Sequence, residues 1–250
     1  MRIILITLLC ALLTGCDSAD APDCFRTEGP MVQVEIAVAS FERIVVEDDI
    51  NLVISQGLQQ RVVVRTGENL LPEVEATVDD GVLRLKDNNG CNWVRDYGVT
   101  TVEVTTPELL EIRNSSAYDV RSQGVLAFDD LQLTSNTTPG PQDILKSGDF
   151  YLQLDCRRLR VRANGQSVFY LSGRAQNANF SFTDEFPRLE AADLLVDRVQ
   201  VFQRSANVMI VHPLEAIRGT IFGTGDVIAV NRPPIVEVET RFTGKLRFRD

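Results

Sequence analysis

Apolar and polar residues alternate with a period of two along almost the whole chain from about residue 31 onwards. Successive Cβ atoms of a β-strand point to opposite faces, so each apolar set of this kind is expected to line one buried face. The clearest sets are Ile50/Leu52/Ile54, Val62/Val64, Leu83/Leu85, Val102/Val104, Leu131/Leu133, Phe150/Leu152/Leu154, Leu159/Val161, Phe180/Phe182, Val199/Val201 and Leu246/Phe248. The alternation predicts an all-β protein.

The segments between these sets are rich in residues that favour tight turns. Glycine, asparagine and aspartate tolerate the positive φ angles that such turns require, and they cluster at Asp79–Gly81, Asn88–Gly90 and Gly223–Asp226. Only Glu68–Ala76 offers a short helical possibility, and Pro72 would interrupt its middle. Helix is therefore expected to be scarce.

Spacing refines the fold class. From Leu131 the apolar pairs recur at intervals of about twenty residues, and no helical pattern lies between them. A recurring unit of this length predicts a β-helix or β-solenoid of short coils, in which each coil covers the apolar face of its neighbour. A β-sandwich of two antiparallel sheets is the alternative.

The first fifteen residues have the features of a processing segment. Arg2 supplies a positive start, and the almost wholly apolar run Ile3–Leu13 is too short to span a bilayer but suits a signal peptide. Leu13–Cys16 (LTGC) resembles the lipobox of bacterial lipoproteins. The resemblance implies cleavage before Cys16 and fatty acyl chains on that residue; an ordinary secretory signal is the alternative.

The domain boundaries follow from this segment. Residues 1–15 are expected to be the signal peptide, and residues 16–30 a lipidated cysteine followed by a flexible tether, because this stretch is small, acidic and without periodicity. Residues 31–250 are then the β-domain, arranged as one unit or as two successive halves.

Net charge limits the partners. The formal net charge of −10 disfavours nucleic acid and anionic membrane surfaces, which would repel the protein. We expect the acyl chains to hold it to the membrane instead. A glycan or an envelope protein remains a possible further partner.

Three cysteines remain beyond Cys16, namely Cys24, Cys91 and Cys156. Disulfides persist in exported proteins, and three thiols allow at most one internal bond. We expect Cys24 and Cys91 to pair because both lie in the N-terminal half, whereas Cys156 follows an apolar set and is expected to be a buried thiol. No pair has the short spacing of a zinc or redox site.

Several motifs, in order along the chain, resemble the family described as putative auto-transporter adhesin, head GIN domain. They are Phe41–Val46, Ile50–Gly57, Gly67–Pro72, Asp80–Leu85, Cys91–Tyr97, Gly223–Val230, Asn231–Pro234 and Thr243–Leu246. Together they cover roughly residues 38–248. The resemblance implies a β-helix-like fold of two stacked or successive halves on an exported lipoprotein of diderm bacteria, and its description implies adhesion. It supplies no catalytic residue.

Candidate catalytic groups are few. His212 is the only histidine, and its position before Pro213, at the end of an apolar set, indicates an exposed strand end rather than a catalytic base. The aspartate pairs such as Asp129-Asp130 do not follow a calcium-loop spacing, and aspartate is common in turns for its own hydrogen bonds. We expect no catalytic residue, no metal and no cofactor.

The most unusual surface feature is a basic row in Arg157–Arg162. Because Leu159 and Val161 are expected to point inward, Arg158, Arg160 and Arg162 should share one outward face, with Tyr151 outward on the preceding stretch. Arginines that pair with acids on neighbouring coils are the favoured interpretation. A surface that grips a sugar-acid polymer is the alternative.

The sequence therefore favours a lipid-anchored protein of the cell envelope, in the outer membrane, with the periplasmic or surface face left open. Its expected role is non-catalytic binding, adhesion or scaffolding. The competing hypothesis is a glycan-active enzyme, similar to a polysaccharide lyase, that uses the arginine face.

Overall fold

The computed structural model describes residues 21–137 and 145–249. The predicted signal peptide, residues 1–15, and the predicted lipidation site Cys16 lie outside these residues. The strands of the described part are β1 (Met31–Ile36), β2 (Arg43–Asp48), β3 (Asn51–Gln56), β4 (Arg61–Gly67), β5 (Val74–Asp79), β6 (Val82–Asp87), β7 (Thr101–Thr106), β8 (Glu111–Ser116), β9 (Val120–Leu126), β10 (Asp130–Ser135), β11 (Phe150–Ala163), β12 (Val168–Phe182), β13 (Arg188–Gln203), β14 (Met209–Ile221), β15 (Val227–Ala229), β16 (Ile235–Thr240) and β17 (Leu246–Phe248). The prediction of an all-β protein is confirmed.

Helix in the described residues is limited to two single turns of 3₁₀ type. One covers Asp23–Phe25, and the other covers Leu71–Glu73. The second lies where the sequence offered a short helix, and Pro72 sits in its first turn, where a missing N–H costs little.

The strands belong to one nearly closed, barrel-like sheet. Most neighbours run parallel, and only the pairs β1–β4, β4–β7 and β5–β6 are antiparallel. The alternative of a sandwich is therefore wrong, because a sandwich needs two separate antiparallel sheets.

Parallel pairing is most extensive in the long strands β11 to β14, where β11–β12 keeps one register and β12–β13 and β13–β14 contain register shifts. Phe150 pairs with Phe169, Phe169 with Leu189, and Leu189 with Met209. Each step advances the chain by about twenty residues, the spacing that the apolar sets have in the sequence. Large apolar residues therefore stack on large apolar residues from one strand to the next.

Each of the strands β11 to β13 turns a corner near its middle. In β11, Cys156 is buried and the next two residues, Arg157 and Arg158, are both exposed, so the inward and outward positions exchange there. The same exchange occurs in β12 at Gln176 and Asn177. The first and second halves of these strands thus belong to different faces of the molecule.

One hydrophobic core runs through both halves of the chain. It extends without interruption from Phe41 to Ala229, and its largest fully buried side chains include Phe150, Phe169 and Phe182. Burial of these apolar surfaces is the main favourable contribution to folding.

Residues 21–30 differ from the flexible tether that the sequence predicts. Ala21 is buried, Cys24 is bonded to Cys91, and Gly29 packs against the Asn69 side chain. The N-terminal segment is therefore attached to the domain from Ala21 onwards. The low hydrophobicity of this segment did not indicate the attachment, because a disulfide and hydrogen bonds contribute to it.

Candidate ligand-binding grooves

The basic row lies on the second half of β11. Leu159 and Val161 are 1% and 0% exposed, and the arginines between and beside them point outward. Asp130 on the neighbouring β10 pairs with Arg158 at 2.6 Å and with Arg160 at 2.9 Å. Two members of the row are thus engaged with an acid on the next strand, as the favoured interpretation of the sequence expects.

Arg162 differs from the other two. Its neighbours across the sheet are Thr134 on β10 and Ser181 on β12, and no carboxylate in residues 21–137 or 145–249 forms an ion pair with it. Its guanidinium lines a groove of about 630 Å³. An exposed arginine with no acid partner keeps its donors available for a ligand.

Two adjoining grooves cross the sheet on this face, and they share Arg160, Asn179 and Gln200. We call them together the arginine groove. The larger is lined by Asn136, Arg160, Arg162, Asn164, Asn179, Ser181, Thr183, Gln200, Val201, Phe202 and Thr220, and the smaller, of about 340 Å³, by Arg158, Leu159, Arg160, Asn177, Ala178, Asn179, Arg198, Val199, Gln200 and Arg218. Neither lining contains a carboxylate, although the protein carries a net charge of −10.

The acids that pair with groove arginines stand outside the linings. Arg198 pairs with Glu215 at 2.7 Å, and Arg218 pairs with Glu237 at 2.7 Å. These pairs are exposed, so they contribute little to stability and can exchange for other anions. The lining of the arginine groove itself therefore presents guanidinium groups next to side-chain amide groups.

Tyr151 does not lie beside the arginine row. It is in the first half of β11, before the corner at Arg157, and it lines a separate groove of about 540 Å³ together with Gln153, Tyr170 and Glu190. The expectation of a basic row next to an aromatic ring is therefore wrong for this pair. The exchange of faces within one strand is the reason, because the alternation alone does not reveal it.

Tyr151 instead takes part in a stack. Its ring lies 4.7 Å from that of Tyr170 at an interplanar angle of 10°, and the Arg121 guanidinium carbon lies 3.9 Å from its centroid. Such contacts stabilise neighbouring strands by amounts of about 1 kcal/mol. This groove also contains the carboxylates of Glu190 and Asp193, so it is less suited to an anionic ligand than the arginine groove.

His212 is not at a strand end. It lies inside β14, half-buried, and its Nδ1 is 2.8 Å from the Ala192 carbonyl oxygen. It lines neither the arginine groove nor the separate groove that contains Tyr151. Within the described ranges, no group of three or more histidine, cysteine, aspartate or glutamate side chains is placed to hold a metal ion.

Cys24 and Cys91, the pair that the sequence favours, are bonded in the structure, and their Cα atoms are 4.4 Å apart. The bond joins the N-terminal 3₁₀ turn to the loop between β6 and β7. Cys156 is the free cysteine of the described residues and is buried.

Burial raises the pKa of the Cys156 thiol to about 12, and the nearby acids Asp155, Asp129 and Asp130 raise it further. At pH 8 only about one such thiol in ten thousand is ionised, so we expect iodoacetamide to leave the folded protein unlabelled. In urea the same thiol should react fully. Mass spectrometry after both treatments measures the difference, and rapid labelling of the folded protein would show that the thiol is accessible.

The loop between β6 and β7 carries a feature to which the sequence motifs assign no role. Trp93 and Tyr97 are 72% and 70% exposed, and Val94 and Phe25 are also exposed. The sequence signal is the short run Trp93-Val94 inside an otherwise polar turn region.

The described residues contain no helix that is both long enough and apolar enough to cross a bilayer. No curated protein matches the chain. Several solved structures share its fold at low sequence identity.

A putative adhesin from Bacteroides fragilis superimposes with a TM-score of 0.76 at 19% identity, covering 89% of this chain and 99% of the other. A putative adhesin from Parabacteroides distasonis gives 0.63 at 15% identity, covering 89% and 98%. A putative adhesin from Parabacteroides merdae has a TM-score of 0.59 at 16% identity, covering 88% of this chain and 96% of the other. The fold is thus shared over nearly the full length of those chains.

The family model described as "putative auto-transporter adhesin, head GIN domain" matches residues 40–233, which include nearly all of the core strands and the arginine groove. The chain belongs to the head GIN domain family.

Proposed function

We propose that this protein is a non-catalytic binding module of the cell envelope, and that its arginine groove takes an elongated anionic ligand, with an acidic glycan as the chemistry that fits best. The observation that carries the proposal is the lining of the groove, which holds five arginines and no carboxylate on an acidic protein. Four of these arginines pair with Asp130, Glu215 or Glu237 beside the groove, which leaves an excess of two positive charges in a concave surface to attract an anionic ligand. The family description as an adhesin agrees with binding.

The side chains of the groove suit a ligand that combines acids with hydroxyl groups. Arginine offers a planar fork of donors that matches a carboxylate in two parallel hydrogen bonds. Asn179 and Gln200 each supply both a donor and an acceptor, which is what a hydroxyl group needs. Arg162, free of an acid partner in the described residues, is the first candidate for such a contact.

The groove is long because it crosses strands rather than following one. Its lining comes from β11, β12, β13 and β14, which extend it over about 14 Å at the usual spacing of neighbouring strands. We regard these strands as successive coils of a β-solenoid, since their parallel partners recur at the spacing of the apolar sets. In that arrangement every coil adds one polar row to the binding face.

We place the protein at the outer membrane, held by fatty acyl chains on Cys16. Alkyne fatty acid is expected to label the wild-type protein, and Cys16→Ala to abolish both the labelling and the partitioning into detergent. The reason is that two or more acyl chains give stable anchoring. Labelling of the variant would contradict the lipobox assignment.

Charge reversal tests the groove. Arg162→Glu should weaken binding to polygalacturonate by at least about tenfold, because each lost hydrogen bond to a charged group is worth roughly 1.5–3 kcal/mol. Affinity electrophoresis with immobilised polygalacturonate measures the change, and neutral dextran is the control ligand. Arg249→Glu is the matched control variant, since Arg249 is an exposed arginine that lines neither groove.

The two variants separate the possible results. Equal retardation of wild type, Arg162→Glu and Arg249→Glu would show that the groove does not bind the polymer and would overturn the proposal. Wild-type protein that releases unsaturated products absorbing in the ultraviolet would replace the binding module by a glycan lyase.

A further inference from the structure

The exposed side chains Phe25, Trp93, Val94 and Tyr97 lie on the two segments that the Cys24–Cys91 disulfide joins, and we call them together the aromatic tip. The rings of Phe25 and Trp93 are 5.2 Å apart in an edge-to-face arrangement. Trp93 and Tyr97 are among the most exposed large apolar residues of the described chain. Exposing large aromatic side chains to water is unfavourable, so a grouped set of them indicates a contact surface.

The loop that presents the tip is held to the domain by hydrogen bonds, and the side chain of Arg95 points inward. The Arg95 side chain is buried, and its guanidinium donates to the carbonyl oxygens of Asp23 at 2.8 Å and Asn89 at 2.7 Å. The Trp93 amide donates to the Cys24 carbonyl at 3.0 Å. A loop that buries its arginine and exposes its tryptophan is preorganised for an apolar environment.

The tip lies next to the point where the chain leads to the proposed anchor. Arg26 Nε donates to the Ala21 carbonyl oxygen at 3.3 Å, so Ala21 is beside the 3₁₀ turn that carries Phe25. From Ala21 back to Cys16 the chain can reach at most about 18 Å. Lipidation of Cys16 would thus keep Ala21, beside the tip, within about 18 Å of the lipidated residue at the bilayer surface.

We infer that the aromatic tip docks into the interface of the bilayer that carries the lipid anchor, and so fixes the orientation of the domain on the membrane. Tryptophan and tyrosine favour the depth of the headgroups, where a ring is apolar on its face and polar at its edge. The Arg95 guanidinium is already engaged within the protein, and Asp96 is an exposed charged side chain of the same loop. The inference rests on the proposed anchor but not on the ligand of the groove.

The test uses the fact that Trp93 is the only tryptophan of the chain. Full-length lipidated protein, whose modified Cys16 peptide is first verified by mass, is reconstituted into phosphatidylcholine vesicles. We expect Trp93 emission to shift to shorter wavelengths relative to the detergent-free Cys16→Ala protein, and to be quenched by lipids brominated high in the acyl chain. Val94→Asp and Tyr97→Asp should reduce both effects.

A reporter at the far end of the molecule is the matched control. Phe242, also exposed, lies in the turn between β16 and β17. Along the sheet, eight successive strand pairings, from β7 through β3, β9, β11, β12, β13, β14 and β15 to β17, separate the two sites. In Trp93→Phe/Phe242→Trp the emission should stay unshifted and unquenched.

The outcomes distinguish the inference from the proposal on which it rests. Unmodified Cys16 in the purified protein overturns the anchor, and the docking with it. A lipidated protein whose Trp93 is unshifted and unquenched overturns the docking alone. A shift that depends on protein concentration without any lipid would identify a second copy of the chain as the occupant and would also overturn it.

Discussion

Replacing Phe182 with alanine is expected to lower the free energy of unfolding by about 3–5 kcal/mol. The side chain is fully buried, and its ring lies 5.8 Å from that of Phe169, which in turn stacks on Phe150 at 4.6 Å. Alanine loses the burial of the ring and leaves a cavity that the parallel strands on either side cannot close. Urea denaturation followed by circular dichroism measures the loss.

Arg160→Ala is the matched control for that prediction. It removes an outward, half-exposed partner of Asp130, so its cost should stay under about 1 kcal/mol. If Arg160→Ala destabilised the protein more than Phe182→Ala, the arginine row would belong to the stabilising network rather than to a surface. The binding role of the groove would then lose its basis.

Removing the disulfide with Cys24→Ser/Cys91→Ser is expected to cost about 2–4 kcal/mol of stability. The bond closes a loop across a sequence separation of 67 residues, which restricts the unfolded chain. Replacing both cysteines avoids a single thiol that could pair with Cys156. Urea denaturation of the variant and of the wild type gives the difference.

Reduction supplies the control for the disulfide. Dithiothreitol should lower the stability of the wild-type protein to that of the double variant and leave the variant unchanged. A wild-type protein that is equally stable with and without dithiothreitol would show that the bond contributes nothing. Because Arg95 also attaches the loop through hydrogen bonds, we expect the β-sheet itself to remain folded in both cases.

The core of this fold is largely predictable from the sequence, because burial follows from alternation within each strand. Leu159, Val161, Phe180 and Phe182 are buried as their spacing predicts. The recurrence of apolar sets likewise predicts which segments are neighbours, since parallel partners in β11 to β14 are offset by that interval. The alternation is a local pattern and the recurrence is a periodic one, so both can be recognised without knowing which distant residues are in contact.

Other features depend on context that a single sequence does not carry. The corner at Arg157 separates Tyr151 from the arginine row, and nothing in the alternation marks it except two successive arginines. The antiparallel pairing of β4 with β1 and β7 lies outside the repeating interval. Attachment of residues 21–30 relies on hydrogen bonds of Arg95 to distant carbonyl groups, which composition does not reveal.

The candidate site was predictable only in part. The sequence indicates the outward arginines, because they alternate with buried residues. The amide groups of Asn179 and Gln200 join them only when β12 and β13 are aligned with β11 in the correct register. The unpaired state of Arg162 depends on its having Thr134 and Ser181 as neighbours, and that too requires the three-dimensional alignment.

Paired residues of β11 to β14 are offset by 17 to 21 residues, so each of these neighbouring strands follows the last after a similar length of chain. Deletion or duplication of one segment of about twenty residues would remove or add a whole row, and the groove would change by a step of about 4.8 Å while its width stayed the same. Under the proposed function, the length of ligand that fits the groove would therefore depend on the number of segments and not only on point substitutions in the groove.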